Sequence, residues 1–211
     1  MDKPVNTLSL TGQIVEMPVF SHDVFGEAFY QLTLAVPRLS GVKDMLPVTA
    51  SERLLEGVSP QPDMLLHLDG QVRSYNKMID GAGRLLITAF AQKLSLPETD
   101  ENPNIVLLSG ALCKPPAYRT TPFGREIADM MLAVNRAFGK SDYIPCIAWG
   151  RNARFAARLT VGDHIAVEGR LQSRPYQKQL PDGTVQEKIA YEVSVSRLET
   201  RAAPEAQEGA R

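Results

Sequence analysis

Short stretches in which apolar and polar residues alternate recur along the second half of the chain. Val, Ile and Leu are concentrated at Ile105 to Ala111, Ile127 to Val134 and Tyr143 to Trp149, and each run is bounded by Gly, Pro or polar residues. Two more alternating runs follow, at His164 to Ser173 and Lys188 to Leu198. Alternation with a period of two is typical of strands that bury one face, so the pattern predicts five short strands.

The segment between the third and fourth of these strands has a different period. Residues 150–159 place Phe155 and Leu159 on one side of a predicted short helix, and Asn152 is positioned to cap its first turn. The order β-β-β-α-β-β is the connectivity of the OB-fold, a small Greek-key barrel whose open face and loops bind oligonucleotides or oligosaccharides. The second half of the chain therefore predicts one such barrel.

The chain also repeats itself. An offset of 98 residues aligns Leu10-Thr11-Gly12 with Leu108-Ser109-Gly110, Leu34-Ala35-Val36-Pro37-Arg38 with Leu132-Ala133-Val134-Asn135-Arg136, and Asp44 with Asp142, while an offset of 99 aligns Gly70 with Gly169 and Ser74 with Ser173. A register that holds over roughly 60 residues indicates two copies of one unit. We therefore predict an all-β protein of two tandem OB-folds, each a five-stranded Greek-key barrel with one short helix between strands three and four.

The predicted domain boundaries follow from this repeat. The first OB-fold covers residues 1–95, a polar, Pro-bounded linker covers 96–103, the second OB-fold covers 104–200, and a flexible tail covers 201–211. Charge is divided unevenly between the copies. Residues 1–103 carry 8 Lys and Arg against 13 Asp and Glu, a net charge of −5, whereas residues 104–200 carry 13 against 9, a net charge of +4. This asymmetry favours a polyanionic partner for the second copy.

Candidate binding residues follow from the alternation in the second copy. Its third strand sends Ile144, Cys146 and Ala148 toward the barrel interior and Tyr143, Pro145, Ile147 and Trp149 outward. Rings beside Lys and Arg suit an unpaired polynucleotide, because its bases stack on rings and its phosphates need counter-charge. The predicted stacking residues are Phe138, Tyr143, Trp149 and Tyr176, and the predicted phosphate contacts are Arg119, Arg125, Arg136, Arg151, Arg170, Arg174 and Lys178. Arg119 and Arg125 fall in the predicted loop between strands one and two.

The first copy lacks most of these residues. At the aligned positions, Met45 replaces Tyr143 and Ser51 replaces Trp149. If the rings served only the barrel, the first copy would need them as well, so the difference favours a ligand surface on the second copy. We therefore expect the first copy to be a degenerate barrel that serves as a scaffold and in dimerisation. Because outward rings are also common at subunit interfaces, a protein-docking face remains the alternative.

Several motifs of the second copy resemble the bacterial single-stranded DNA-binding protein family. They are Asn104 to Gly110, Tyr118 to Gly124, Leu132 to Arg136, Ala148 to Ala153, Gly162 to Arg174 and Ala190 to Val193. The resemblance implies stacking roles for the four rings named above. It also implies assembly of four OB-folds, hence a homodimer of this chain, and a covered outer face fits the apolar residues on both sides of Ile105 to Leu108. The family usually ends in an acidic tail with an apolar tip, which residues 201–211 do not match, so recruitment of replication proteins by that route is not expected.

Other classes of function find no support in the sequence. Because the chain has neither an N-terminal apolar segment nor 18 consecutive apolar residues, we expect a cytoplasmic, nucleoid-associated protein without a membrane partner. Cys113, Cys146 and three scattered His residues predict free thiols and no metal or other cofactor. Gly139-Lys140-Ser141 ends like a phosphate-binding loop, but Val134 stands where that motif requires Gly. With no catalytic motif, the chain is predicted not to be an enzyme.

The predicted function is binding of single-stranded DNA with little sequence preference, which protects exposed strands in replication, recombination or repair. The alternative is a paired OB-fold protein-interaction scaffold, such as a primosome-like or mobile-element accessory factor. The salt dependence of binding distinguishes the two hypotheses. For a single strand bound through Z phosphates, the logarithm of the binding constant falls with the logarithm of the salt concentration at a slope of roughly −0.7Z, whereas binding at an apolar protein interface depends only weakly on salt.

Overall fold

The structure, a computed structural model, describes residues 5–79, 81–97, 103–179 and 183–202, without the side chains of Phe138 and Lys178. The first half contains β1 (Asn6–Val24), β2 (Glu27–Pro37), β3 (Lys43–Ser51), α1 (Glu52–Val58), β4 (Leu65–Ile79) and β5 (Ala82–Ser95). The second half contains β6 (Asn104–Leu112), β7 (Ala117–Thr120), β8 (Glu126–Asn135), a single 3₁₀ turn (Ala137–Gly139), β9 (Ser141–Trp149), α2 (Arg151–Ala156), β10 (His164–Gln179) and β11 (Val185–Thr200).

Both halves close as OB-folds, which confirms the predicted fold class. In the first, β1 pairs with β2 and β4, β2 pairs with β3, β4 pairs with β5, and a short parallel pairing of β3 with β5 closes the barrel. The second half repeats these pairings with β6, β8, β9, β10 and β11. Antiparallel pairing of β1 with β6 joins the two barrels into one eleven-stranded sheet.

Each barrel is filled by the inward side chains of its alternating strands. Leu34 and Leu46 of the first barrel are fully buried, as are Leu132 and Ile144 at the equivalent positions of the second. Cys146 is buried beside them, and burial raises the pKa of its thiol to about 12. Both cysteines of the chain are free thiols, as predicted.

Two glycines of the repeat are required by close backbone approach. A Cβ atom on Gly110 would lie 2.3 Å from the carbonyl oxygen of Ala133, and one on Gly169 would lie 2.3 Å from that of Ser194. Gly169 also follows an irregularity in the pairing of β10 with β11. The recurrence of Gly at these positions therefore reflects the geometry of barrel closure.

The other repeated residues form a reciprocal junction between the barrels. The carboxylate of Asp44 is paired with Arg38 at 2.6 Å and accepts a 2.7 Å hydrogen bond from the backbone N–H of Ser173 in the other barrel. The mirrored set is Asp142, paired with Arg136 at 2.9 Å, accepting a 2.6 Å hydrogen bond from the backbone N–H of Ser74. Each barrel thus supplies one buried carboxylate to the other, and the junction has approximate two-fold symmetry.

Four local predictions need correction. Asn152 does not cap α2, since its Nδ2 donates to the carbonyl of Ser196 at 3.0 Å and the residue before the helix is Gly150. Leu159 lies beyond the end of that helix. The segment between the first two predicted strands forms an additional strand, β7, that pairs with β8. The last two strands are longer than predicted, because both continue into a hairpin that projects beyond the closed part of the barrel.

Some predicted segments cannot be compared with the structure. Residues 98–102 of the linker, 180–182 of the last hairpin turn and 203–211 of the tail lie outside the described residues. Within the described ranges, α1 and α2 are both too short to cross a membrane.

Candidate nucleic-acid interface

Two of the predicted stacking rings lie on the outer face of β9. The inward positions of this strand, Ile144 among them, are buried as predicted, while Tyr143 is 45% exposed and Trp149 is 37% exposed. The indole Nε1 of Trp149 donates to Ser194 Oγ at 3.2 Å, which fixes the edge of the ring against β11. Ile147, predicted to point outward with them, is buried and lies outside the cluster of side chains that forms the hydrophobic core.

The third described ring extends the same set onto the β10–β11 hairpin. Tyr176 is 38% exposed and lies opposite Lys188 in the pairing of the two strands. Among the described side chains, no other ring or guanidinium stacks on Tyr143, Trp149 or Tyr176. Their π-faces are therefore available for a ligand. The side chains of Phe138 and Lys178, predicted to join this set, lie outside the described residues.

Three predicted phosphate contacts are exposed near the β7–β8 hairpin and the start of α2. Arg119 lies on β7 and is paired with Asp129 at 2.9 Å, and both side chains are largely exposed. Arg125 and Arg151 are exposed, and neither has a carboxylate partner in the part of the chain that the structure describes. An exposed ion pair contributes little stability, so all three guanidiniums can reorient toward a phosphate at small cost.

Arg174 is held more firmly. Its Nε and one terminal nitrogen donate to the two carboxylate oxygens of Glu192 at 2.8 and 3.0 Å, and this hydrogen bonding raises the pKa of Arg174. Glu192 is buried and also accepts a 2.9 Å hydrogen bond from Gln172. A bidentate pair of this kind fixes the orientation of the guanidinium and leaves its remaining donors directed away from the carboxylate.

The last two predicted phosphate contacts belong to the junction between the barrels. Arg136 is paired with the buried Asp142, and Arg170 lies 3.7 Å from Asp44. Burial, with a smaller contribution from the neighbouring Arg38, lowers the pKa of Arg170. Since both guanidiniums are needed to balance buried carboxylates, their structural role is evident from the contacts, and a DNA-binding role for them stays a prediction.

The alignment of the two copies did not reveal that the first barrel also has aromatic rings. They lie at positions that differ from those of the rings in the second barrel. Phe29 and Phe90 occupy the places of Ile127 and Ser194, which flank Trp149 in the second barrel. They contact each other at 5.8 Å between centroids. His22 stacks on Phe29 at 5.3 Å, and the guanidinium of Arg73 lies 5.5 Å from the Phe90 ring. The first barrel therefore covers Phe29 and Phe90 with its own side chains, whereas Tyr143, Trp149 and Tyr176 of the second barrel are open.

Taken together, these features define a tandem OB-fold protein whose second barrel carries an open face of rings and cations. Residues 103–200 match the family model described as the single-strand binding protein family. The second barrel is therefore similar to that family over nearly its whole length, in agreement with the resemblance of its sequence motifs.

Individual relatives show the same similarity. The chain is 43% identical over 83 residues to single-stranded DNA-binding protein 1 of Staphylococcus aureus (strain COL), covering 36% of this chain and 50% of that protein. It is 42% identical over 83 residues to single-stranded DNA-binding protein A of Bacillus subtilis (strain 168), covering 36% of this chain and 48% of that protein. The chain thus spans about half the length of the curated relatives it matches.

The resemblance to solved structures extends over the whole chain. The wild-type single-stranded DNA binding protein from Thermus aquaticus superposes with a TM-score of 0.76 and 24% identity, covering 99% of this chain and 98% of that one. At this identity the likeness shows the fold alone, and it includes both barrels.

Proposed function

We propose that this protein binds single-stranded DNA with little sequence preference through the outer face of its second barrel. The observation that carries the proposal is the set of open rings, Tyr143, Trp149 and Tyr176, on a face that also carries exposed guanidiniums. Unpaired bases stack on rings whatever their identity, which accounts for the lack of sequence preference. The match of residues 103–200 to the single-strand binding protein family model supports the same ligand.

The contacts divide the proposed phosphate ligands into two groups. Arg119, Arg125 and Arg151 are free to follow the backbone of a bound strand, whereas Arg174 offers a donor group fixed by Glu192. Phe138 and Lys178 complete the proposed set as a fourth ring and a further cation, and Arg136 and Arg170 contribute positive potential from the junction. Binding without catalysis would protect exposed strands in replication, recombination or repair, in the cytoplasm and on the nucleoid.

The first barrel has a supporting role in this proposal. The rings of Phe29 and Phe90 are covered by His22 and Arg73, so the first barrel serves as a scaffold and in dimerisation. Two chains would then assemble four OB-folds. The outer face of β6, where Ile105 and Leu107 are exposed between two neighbouring strands, is the proposed contact between the chains.

Fluorescence of the sole Trp tests the proposal directly. Addition of oligo-dT should quench Trp149, and in anisotropy titrations with labelled oligo-dT the substitution Trp149→Ala should weaken binding by roughly 1 to 3 kcal/mol. Leu39→Ala, which removes a fully exposed apolar side chain from a turn of the first barrel, is the control and should leave the affinity unchanged. Unchanged emission together with unchanged affinity of Trp149→Ala would refute the proposal.

A further inference from the structure

The β1–β2 hairpin and the start of α1 form a surface of the first barrel that is unusually apolar. This surface, residues 15–28 and 52–56, is termed the acidic hairpin surface. Its exposed large apolar side chains are Val15, Met17, Val19, Phe20, Val24 and Phe25, and the ring of Phe25 is fully exposed. Exposed apolar side chains concentrated in one segment mark a contact surface more often than a solvated one.

The same surface is strongly acidic. Residues 15–28 and 52–56 contain five acidic residues and one basic residue, Arg53, which gives a net charge of −4. Glu27, Glu52 and Glu56 line a groove between the hairpin tip and the helix. No ion pair of these five carboxylates is present in the described part of the chain, although the hydroxyl of Tyr30 donates to Glu52 at 3.0 Å.

The equivalent surface of the second barrel has the opposite charge. Shifted by the repeat offset of 98, it comprises residues 113–126 and 150–154, termed the basic hairpin surface, and contains five basic residues and one acidic residue, Glu126. Its net charge is therefore +4. The rings of Tyr118 and Phe123 are exposed on it. One chain thus carries two surfaces at equivalent places in its two barrels, with inverted charge and with apolar side chains on both.

We propose that the acidic hairpin surface of one molecule docks on the basic hairpin surface of a second copy of this chain. Opposite potentials attract the two surfaces and fix their register, and the apolar side chains supply area to bury. Because the two surfaces differ, the contact is heterologous and can continue from molecule to molecule. Pro18 and three register shifts interrupt β1 along this hairpin, so the contact is made by side chains rather than by pairing of strand edges.

This contact is independent of the proposed function but shares residues with it. Arg119, Arg125 and Arg151 belong both to the basic hairpin surface and to the proposed phosphate contacts. A bound strand and a docked hairpin therefore compete. Oligo-dT, at concentrations that saturate the quenching of Trp149, should dissolve the association.

Sedimentation velocity of the full chain tests the proposal without DNA. Association beyond the basal dimer should weaken as salt is raised. Glu27→Arg alone and Arg125→Glu alone should each lower the association constant about tenfold at low salt, while a mixture of the two variants should restore the contact between them. Restoration in the mixture is a result that a damaged fold cannot produce.

Two further variants separate the apolar contribution from general effects of charge. Phe25 has a φ of 52°, a conformation that Asn tolerates well, so Phe25→Asn removes the ring without strain and should lower the association constant about fivefold. Glu199→Arg changes the charge by the same amount on β11, outside both surfaces, and should leave association unchanged. Absence of association beyond the dimer, or failure of the mixed variants to associate, would overturn the proposal, whereas loss of Trp149 quenching bears only on DNA binding.

Discussion

At the scale of single residues, the stability of this protein depends on two buried carboxylates at the junction of the barrels. Asp142 is fully buried, paired with Arg136 at 2.9 Å, 3.6 Å from Arg73 and hydrogen bonded to the backbone of Ser74. Asp142→Ala would leave two guanidiniums facing each other without a counter-charge. We expect a loss of about 3 to 5 kcal/mol in the free energy of unfolding, measured by urea denaturation.

Asp129 offers the matched control for this substitution. It is also a carboxylate paired with an arginine, Arg119, but both side chains are exposed. Asp129→Ala should therefore cost less than about 1 kcal/mol. Equal effects of the two substitutions would show that the junction pair contributes no more than a surface ion pair.

The second carboxylate of the junction makes stability depend on pH. Burial alone would raise the pKa of Asp44, but hydrogen bonds from Arg38 and from Ser173 outweigh it, and the net pKa lies below the ordinary value. A lowered folded-state pKa adds stability that is fully present above the unfolded-state value of about 4 and is lost as pH falls through the folded-state value. Unfolding curves measured between neutral pH and pH 3 give the difference in the free energy of unfolding between the wild type and Asp44→Asn. This difference should become smaller below about pH 4. A difference in the free energy of unfolding that does not change with pH would contradict the lowered pKa of Asp44.

The same contacts explain which site residues the sequence could assign. The outward placement of Tyr143 and Trp149 follows from alternation along one strand, which is a local property and was predicted correctly. The partners of Arg136, Arg170 and Arg174 were not predictable, because the carboxylates that hold them come from other strands or from the other barrel. Charge type can be read from a sequence, but whether a charge is already paired depends on the topology.

At the scale of elements, the irregular pairing of β10 with β11 requires a glycine. A Cβ atom at position 169 would lie 2.3 Å from the Ser194 carbonyl oxygen, and neither backbone segment can move without disrupting the closure of the barrel. Gly169→Ala should therefore destabilise the second barrel by about 3 kcal/mol, followed through Trp149 emission in denaturant. Gly57→Ala, on α1 with open space at its Cβ position, should instead stabilise the protein by about 0.5 to 1 kcal/mol. Similar changes in the free energy of unfolding for Gly169→Ala and Gly57→Ala would contradict the proposed role of Gly169.

The sequence predicted poorly the strands whose formation or length depends on pairing with a neighbouring strand. Alternation and turn residues located the barrel strands and the short helix of the second copy. The strand β7 was missed because its four residues, Ala117–Thr120, are all exposed and carry no hydrophobic period. It forms because β8 offers an unpaired edge. The rings of Phe29 and Phe90 were missed for a related reason. The alignment compared each residue only with its equivalent in the other copy, whereas the first barrel carries its rings on the strands next to the position that Trp149 occupies in the second.

At the scale of the whole molecule, the repeat places two similar barrels on one sheet and gives them opposite surface charge. The repeated residues Gly110, Gly169, Asp44 and Asp142 serve barrel closure and the junction. The residues that differ between the copies lie on the outer faces. Position-by-position comparison within one chain therefore separates residues that the architecture requires from residues that are available for binding.

The proposed homodimer can be tested on the outer face of β6. Leu107 is 41% exposed there, on a strand whose two edges are already paired with β1 and β10, so a substitution changes the face without breaking a pairing edge. Leu107→Glu would bury a charge at the proposed contact and should reduce the mass measured by light scattering from a dimer to a single 23.2 kDa chain. High salt in this measurement screens the hairpin contacts. Val161→Glu, at an exposed turn, is the control and should leave the mass unchanged. A dimer that survives Leu107→Glu would place the contact between chains elsewhere, and an unsubstituted chain that is monomeric would remove the basis for a four-barrel assembly.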